Sequence, residues 1–337
     1  LKLTRLAIIG GGIAGRSLLY ALAKRKKSFS EITLFDSDSF AHTCSLRSTA
    51  IVAPRGLSVG HSELGDFLVA AFQTFSAHAF NDLPAGVFPI TQYTGAVTKL
   101  EEFKKRYPNG ATAKIFPSFS LSEDVYMASE DAYLIDPAIY LKWLLDQSLS
   151  LPLKVKNDFV ISVDEIADGL EVNTQDGQRQ IFDSVVFAGG TSNRFWNVLS
   201  NDQLSKTKTV QGSYLEFSDI NLGDFSFSLT LEGDNLIYHA HSQKLLLGST
   251  TVTSHGEIAA TNSLMEIHKR LQDILQMELP DFSLAEIQTG IREKAPKRSP
   301  YIKNKGQCWW IGGYYKNGYS LGFDWANKLI TGMETQN

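Results

Sequence analysis

The sequence predicts an α/β fold in which a parallel sheet is interrupted twice by antiparallel sheet. Leu6–Ile9 is a continuous apolar run, as a strand buried on both faces requires, and it leads directly into glycines and a helix. Val185–Ala188 is a second such run and also ends in glycines, Gly189 and Gly190. Residues 88–126 and 210–253 instead break into short aromatic and β-branched runs separated by Pro and Gly, the mark of antiparallel strands.

Gly10, Gly12 and Gly15 follow the first strand in G-x-G-x-x-G spacing. The first permits a tight turn, the second lets backbone approach a pyrophosphate, and the third lets the helix pack on the strand. That helix is expected from about Ile13 to Lys27, with Ile13, Leu18, Leu19 and Leu22 on an apolar stripe and Lys24–Lys27 at its negative end. Its start offers unpaired N–H groups to a diphosphate. Ile32–Phe35 reads as the next strand and ends in Asp36, roughly twenty residues past the last glycine, where a carboxylate accepts ribose hydroxyls and repels a 2′-phosphate.

Residues 37–48 are polar and small and must lie against something, the nucleotide being the nearest candidate. Asp66–Phe80 reads as a buried helix and Glu101–Arg106 as a charged helical turn. Asp136 is a good N-cap and Pro137 a good first helical residue for a helix reaching Ser148. A strand is expected around Val155–Val163, then a hairpin turning at Asp168-Gly169 and Asp176-Gly177. A helix over about Ser263–Met277, a glycine-rich stretch around residues 312–322, and a last helix over about Asp324–Gly332 close the chain. Two interleaved, discontinuous units result: 1–80, 136–207 and 286–337 in one, 81–135 and 208–285 in the other.

Composition narrows the function. A net charge of −4 disfavours a nucleic-acid partner bound through a broad basic face. The two cysteines, Cys44 and Cys308, lack C-x-x-C partners, which excludes a zinc ribbon or disulfide framework and suits the cytoplasm. No apolar run reaches the roughly 18 residues of a membrane span, and the first strand leaves no room for a signal peptide in this numbering. His239 and His241 would share a strand face; a wall of the substrate pocket fits them better than a metal site, since no third ligand stands at usable spacing. No metal is expected. No Ser/His/Asp triad or carboxylate pair suggests hydrolysis.

In their order and spacing these landmarks resemble the FAD-dependent amine and amino-acid oxidase family that includes glycine oxidase, sarcosine oxidase and D-amino-acid oxidase. The likeness runs from residue 5 to about 332. It rests on the fingerprint ending at Asp36, Ile135-Asp136-Pro137, the 182–190 stretch, Leu246–Thr250, Gly290-Ile291-Arg292 and Gly313–Gly318. The resemblance implies a Rossmann-like FAD-binding domain with an interleaved antiparallel-sheet substrate domain. It implies non-covalent FAD and oxidation of a C–N bond of a small amine or amino acid by hydride transfer to flavin N5, with O2 or another electron acceptor.

Carried onto this chain, the family's cofactor contacts fall on Gly10, Gly12, Ile13, Ala14, Gly15, Phe35, Asp36 and Ser37, and on Ser45, Arg47 and Ser48. They continue at Val160, Ala188, Gly189, Gly190, Gly290 and Arg292, and at Gly313, Tyr315, Lys316, Asn317, Gly318, Tyr319 and Ser320. Arg292 would pair with a substrate carboxylate, or else hold a structural ion pair; Lys316 and Tyr238 are the other catalytic candidates, with Tyr93 and Tyr214 as further aromatics of the inserted sheet. The chain departs from the pattern in Cys44–Thr49 and in the basic run Lys297–Lys303, which reads as a solvated loop or else as a site for an anionic partner. Cys308 is read as ordinary core. Two rival readings stay open: a flavoenzyme acting on a macromolecule, such as a tRNA wobble-uridine side chain or a partner-protein residue, and a non-catalytic FAD-binding subunit.

Overall fold

A computed structural model describes residues 4–26, 29–37, 44–54, 57, 62–116, 119–196, 204, 206–251 and 257–336. Lys27 and residues 38–43, which the sequence reading covers, lie outside the described residues.

Six strands form the first sheet, in the order Tyr301–Lys305, Cys308–Gly312, Ser184–Phe187, Arg5–Ile9, Glu31–Phe35 and Leu153–Lys156. Its pairings are parallel except the edge hairpin of Tyr301–Lys305 on Cys308–Gly312. Alternation explains the unbroken apolar runs. Leu6, Ile8, Ile32, Leu34, Val186 and Ile311 pack beneath helices Ile13–Lys24, Glu63–Asn81, Pro137–Asp146 and Gly318–Gln336. Ala7, Ile9, Phe35, Val185, Phe187 and Trp310 pack on the other face against a three-stranded meander. Both faces are covered, so both parities are largely apolar, with Thr33 and Ser184 the buried polar exceptions in the central strands.

That meander corrects one expectation. Val155–Val163 is not a single strand: Leu153–Lys156 joins the parallel sheet, and Val160–Ile166 begins the meander that continues through Gly169–Thr174 and Arg179–Phe182. The helix-cap expectation holds, with Asp136 Oδ1 accepting from Ala138 and Ile139 N–H groups at 3.1 Å and Pro137 at the first helical position. The last helix starts earlier than expected, at Gly318.

The second sheet has ten strands and is antiparallel except where Phe227–Leu231 runs parallel to Val87–Ala96. Its longest strand is Phe119–Ile135, paired with all of Val87–Ala96. One face packs on helix Glu257–Ile274 through Leu229, Leu236, Leu247, Leu264, Ile267 and Leu271. Glu286–Lys294, which the sequence division assigns to the first unit, pairs along Lys208–Phe217 in this second sheet and so carries Arg292 into it. No helix among the described residues is long and apolar enough to cross a membrane.

Candidate active site

Three adjacent strands of the first sheet end in glycine turns on the same side: Gly10 after Arg5–Ile9, Gly189-Gly190 after Ser184–Phe187, and Gly312-Gly313 closing Cys308–Gly312. Open α/β sheets bind ligands outside these carboxyl ends. Here all three turns line one cavity of about 510 Å3, which continues to the second sheet.

The first turn is shaped by steric necessity. Gly10 has φ +111°, and a Cβ there would sit 2.7 Å from the Ala188 carbonyl oxygen. A Cβ on Gly15 would lie 2.0 Å from the Gly10 carbonyl oxygen, so the helix can cross the turn only without a side chain. Gly15 itself does not line the cavity; Gly10, Gly12, Ile13 and Ala14 do. Gly12 occupies the N-cap position and, lacking a side chain, leaves the helix start uncapped from within. Ile13 N–H donates instead to Ser45 Oγ at 3.0 Å. Asp36 Oδ1 accepts from Gly11 N–H at 3.0 Å, and its Oδ2 pairs with Arg16 at 3.1 Å. Arg16 also donates to the Gly11 carbonyl at 2.6 Å, so this arginine, which the sequence reading missed, fixes the acid and the loop together. A carboxylate offers about four acceptor positions, so Asp36 retains capacity for a ribose.

The second and third turns are tied by a buried chain of hydrogen bonds. Gly189 N–H donates to Asn193 Oδ1 at 2.9 Å, and Asn193 Nδ2 donates to the Tyr301 hydroxyl at 3.0 Å and the Ile311 carbonyl at 3.1 Å. Tyr301 donates to Glu293 Oε1 at 2.8 Å, and Glu293 Oε2 accepts from Gly313 N–H at 2.9 Å. Burial raises the Glu293 carboxyl to about 7, against the opposing pull of those two donors and the Arg194 charge. Glu293 lines the cavity and was missed from sequence because nothing local marks a charged residue beside Arg292 as buried. The Gly313 N–H is therefore engaged by Glu293 within the protein. The last helix begins at Gly318, in the cavity wall, and brings the positive end of its dipole there.

Of the expected cofactor contacts, Phe35, Asp36, Ser37, Ser45, Ser48, Val160, Ala188, Gly189 and Gly190 line the cavity. So do Arg292, Gly313, Tyr315, Lys316, Gly318 and Tyr319. Arg47 is outside the lining and bonds to Gln288, while Gly290 is packed under it, its Cβ position 2.9 Å from the Arg47 carbonyl oxygen. Asn317 and Ser320 are buried within the turn and helix rather than in the wall.

Arg292 is 6% exposed and lies flat over Gly212, where a Cβ would be 2.4 Å from its Cζ. Its Nη1 is buried and has no hydrogen-bond partner. Cys44 bonds to the same guanidinium, which opposes the rise that burial imposes on its thiol. A guanidinium in a cavity wall has the charge and the forked geometry to pair with an anion.

Several expectations are corrected. Tyr238 is absent from this cavity: strand alternation turns it toward the face packed on helix Glu257–Ile274, and its hydroxyl donates to the Gly223 carbonyl at 3.1 Å. Tyr93 faces that side too, and Tyr214 is packed in a neighbouring apolar cluster. His239 and His241 are not a wall of this pocket. His239 is 5% exposed and, through burial, held down to about 4; His241 lies beyond the strand end, stacked on Phe88 at 4.1 Å and 3.3 Å from Asp136. No cluster able to hold a metal occurs among the described residues. Cys308 is buried core, its thiol pushed up to about 12.

The donor set fits an extended dinucleotide: two helix starts, glycine turns that admit close backbone approach, and an acid at the ribose position. Comparison with known proteins agrees. The family model described as FAD dependent oxidoreductase matches residues 5–323. Glycine oxidase from Geobacillus kaustophilus superposes with a TM-score of 0.78 at 16% identity, covering 99% of this chain and 95% of that one. L-α-glycerophosphate oxidase from Mycoplasma pneumoniae, solved with FAD bound, gives 0.80 at 16% identity, covering 98% and 94%. Iminodiacetate oxidase from Chelativorans sp. BNC1 gives 0.72 at 16% identity, covering 99% and 96%. No curated protein sequence matches. Fold, cofactor cradle and a match over nearly the whole length together make this chain a member of the FAD-dependent oxidoreductase family.

Proposed function

We propose that the chain oxidises the C–N bond of a small amino acid or amine, with Arg292 receiving the carboxylate of an amino-acid substrate. The observation that carries this is the largely buried Arg292 guanidinium in the wall of the cavity that also holds the dinucleotide turns. When bound, FAD supplies the redox chemistry, accepting the hydrogen and electron pair lost from the α-carbon. The protein's share is placement. Arg292 orients the substrate through a planar, forked contact, and Gly212 lets that fork lie against backbone. Lys316 adds positive charge to the same wall as the Gly318 helix start, an arrangement suited to negative charge gained on reduction.

Anaerobic bleaching of the bound flavin by a panel of amino acids and simple amines tests the reading. Arg292→Ala should slow bleaching by amino acids at least about 100-fold, the loss expected on removing a buried partner of a carboxylate. Simple amines should change by less than about threefold. Equal loss for both classes removes Arg292 from substrate binding, and no bleaching by any member removes the reading.

A further inference from the structure

The carboxyl ends of the first sheet set the parts of a dinucleotide in order. Gly313, Gly189, Gly10 and Asp36 follow four neighbouring strands, Cys308–Gly312, Ser184–Phe187, Arg5–Ile9 and Glu31–Phe35. Three strand pairings separate the first of these from the last, about 14 Å at the usual spacing. An adenosine at Asp36 and a diphosphate at the Ile13 helix start leave the flavin half for the opposite side, where Gly313 and the Gly318 helix start line the cavity.

Glu293 stands on that side. It is 5% exposed, lines the cavity, and receives the Tyr301 hydroxyl on one oxygen and the Gly313 N–H on the other. Gly312 leaves room for this acid: a Cβ there would lie 2.5 Å from Glu293 Oε2, 2.7 Å from the Tyr301 hydroxyl and 3.0 Å from Asn193 Nδ2. The charged and titratable groups around the carboxyl are Tyr301 on the edge strand, Arg194 of the 190–196 segment and Tyr314 beyond Gly313. The turn that it holds also carries Tyr315 and Lys316, and its own strand carries Arg292 and Lys294. Burial pushes the Tyr301 and Tyr314 hydroxyls well above the ordinary phenol value, so neither ionises near neutrality. The Glu293 carboxyl, raised by burial to about 7, does. Tyr301 suits both states of the acid, because a hydroxyl can accept as well as donate.

We propose that Glu293 is a redox-linked proton site, binding a proton when the flavin held in this cavity is reduced and releasing it on reoxidation. A hydride, or an electron pair with one proton, adds one net negative charge to the flavin. An ionised Glu293 would then put two like charges in one cavity, so the carboxylate takes a proton from solvent and becomes neutral. When the electron pair passes to an acceptor, the added charge is gone and that proton returns to solvent. Glu293 thus adds one proton to those that each electron pair already brings. The proposal needs the cofactor but not the amine reading of the substrate.

Spectroelectrochemical titration of the holoenzyme with mediator dyes, from about pH 5.5 to 9, tests this without a substrate. Below about pH 6 Glu293 is already protonated in the oxidised protein, so the flavin potential should fall with pH equally in wild type and Glu293→Gln. Above about pH 7 the reduction equilibrium of wild type should fall more steeply than the variant's, by about threefold to tenfold per pH unit, tenfold being about 30 mV for an electron pair. Tyr301→Phe removes a donor that holds the carboxyl down, so the steep region should begin at higher pH; this variant carries the test if Glu293→Gln folds poorly. A merely structural role for Glu293 would change flavin content, or the potential by the same amount at every pH, and leave the slope alone. Parallel wild-type and Glu293→Gln curves across the range overturn the proposal, as does a steep region that Tyr301→Phe leaves in place.

Discussion

The two ends of the cavity are built from different material. The dinucleotide end is mostly backbone: Gly10, Gly189 and Gly313 sit at the ends of three neighbouring strands, and two helix starts open beside them. Over the second sheet the wall is side chains: Gln92, Thr94, Thr230 and Asn235 on three neighbouring strands, and Arg292 on a fourth, farther strand. Backbone cannot be varied without breaking the turn, whereas a side chain on a strand face can be exchanged with little effect on the fold. The backbone part suits the cofactor, which is common to the family, and on the reading proposed above the side-chain part is where substrate choice can vary.

The sharpest way to break this contrast is to put a side chain into the backbone end. Gly15→Val places its Cβ 2.0 Å from the Gly10 carbonyl oxygen, and neither the turn nor the helix has slack to yield. Loss of flavin-loaded, folded protein is expected on expression and purification. Gly177→Ala is the control. It has φ +86° but open space around its Cβ, so strain of about 1 kcal/mol and normal flavin content are expected. Normal flavin content in Gly15→Val would show that the backbone end is not rigid.

Glu293 joins the two ends, since it holds the Gly313 turn and directly follows Arg292. Its folded pKa, about 7, lies above the ordinary 4.5, so folding favours its protonated form. Its contribution is fully present below about pH 4.5, declines as pH rises, and is lost by about pH 7; the full span corresponds to about 3 kcal/mol. Glu293→Gln removes that titration. The stability difference between wild type and variant, from denaturant unfolding of the holoprotein at pH 4 to 8, should move in favour of the variant by up to this amount as pH rises. A difference constant across that range would mean that Glu293 is ionised throughout.

What could be read from the sequence follows the same division. Gly10-x-Gly12-x-x-Gly15 and Asp36 were legible because strand, turn, helix and acid are contiguous, and each constrains the next over a few residues. The parallel strands were legible because burial on both faces removes polar residues from both parities. Gln92, Thr94, Thr230 and Asn235 were not. A half-polar strand looks the same whether its polar face meets solvent or a cavity, and only the pairing of Phe227–Leu231 with Val87–Ala96 on one side and Asp234–His239 on the other brings these residues together. Tyr238 was misplaced for the same reason: one residue of register separates the cavity face from the helix face, and composition does not say which is which. Arg292 was read through resemblance, but the glycine beneath it was not, because Gly212 acts on a residue 80 positions away across a strand pair.

Gly212 offers the finest test of the contrast, because it is backbone serving the side-chain end. An alanine Cβ would stand 2.4 Å from Cζ and Nη1 of Arg292 and 2.5 Å from Nη2, too close for any of them to stay. The guanidinium is the far end of a flexible side chain, so it should move while the strand pair remains. Gly212→Ala is therefore expected to cost little stability, about 1 kcal/mol or less, and to leave flavin content unchanged. For amino-acid substrates KM should rise roughly tenfold, as a displaced fork loses its two-point contact, while simple amines stay near wild type. In an Arg292→Ala background the same change should add nothing, because the group it displaces is gone. Additive losses in that double-mutant cycle would mean that Gly212 acts on the cavity by another route, and that the guanidinium position does not limit substrate binding.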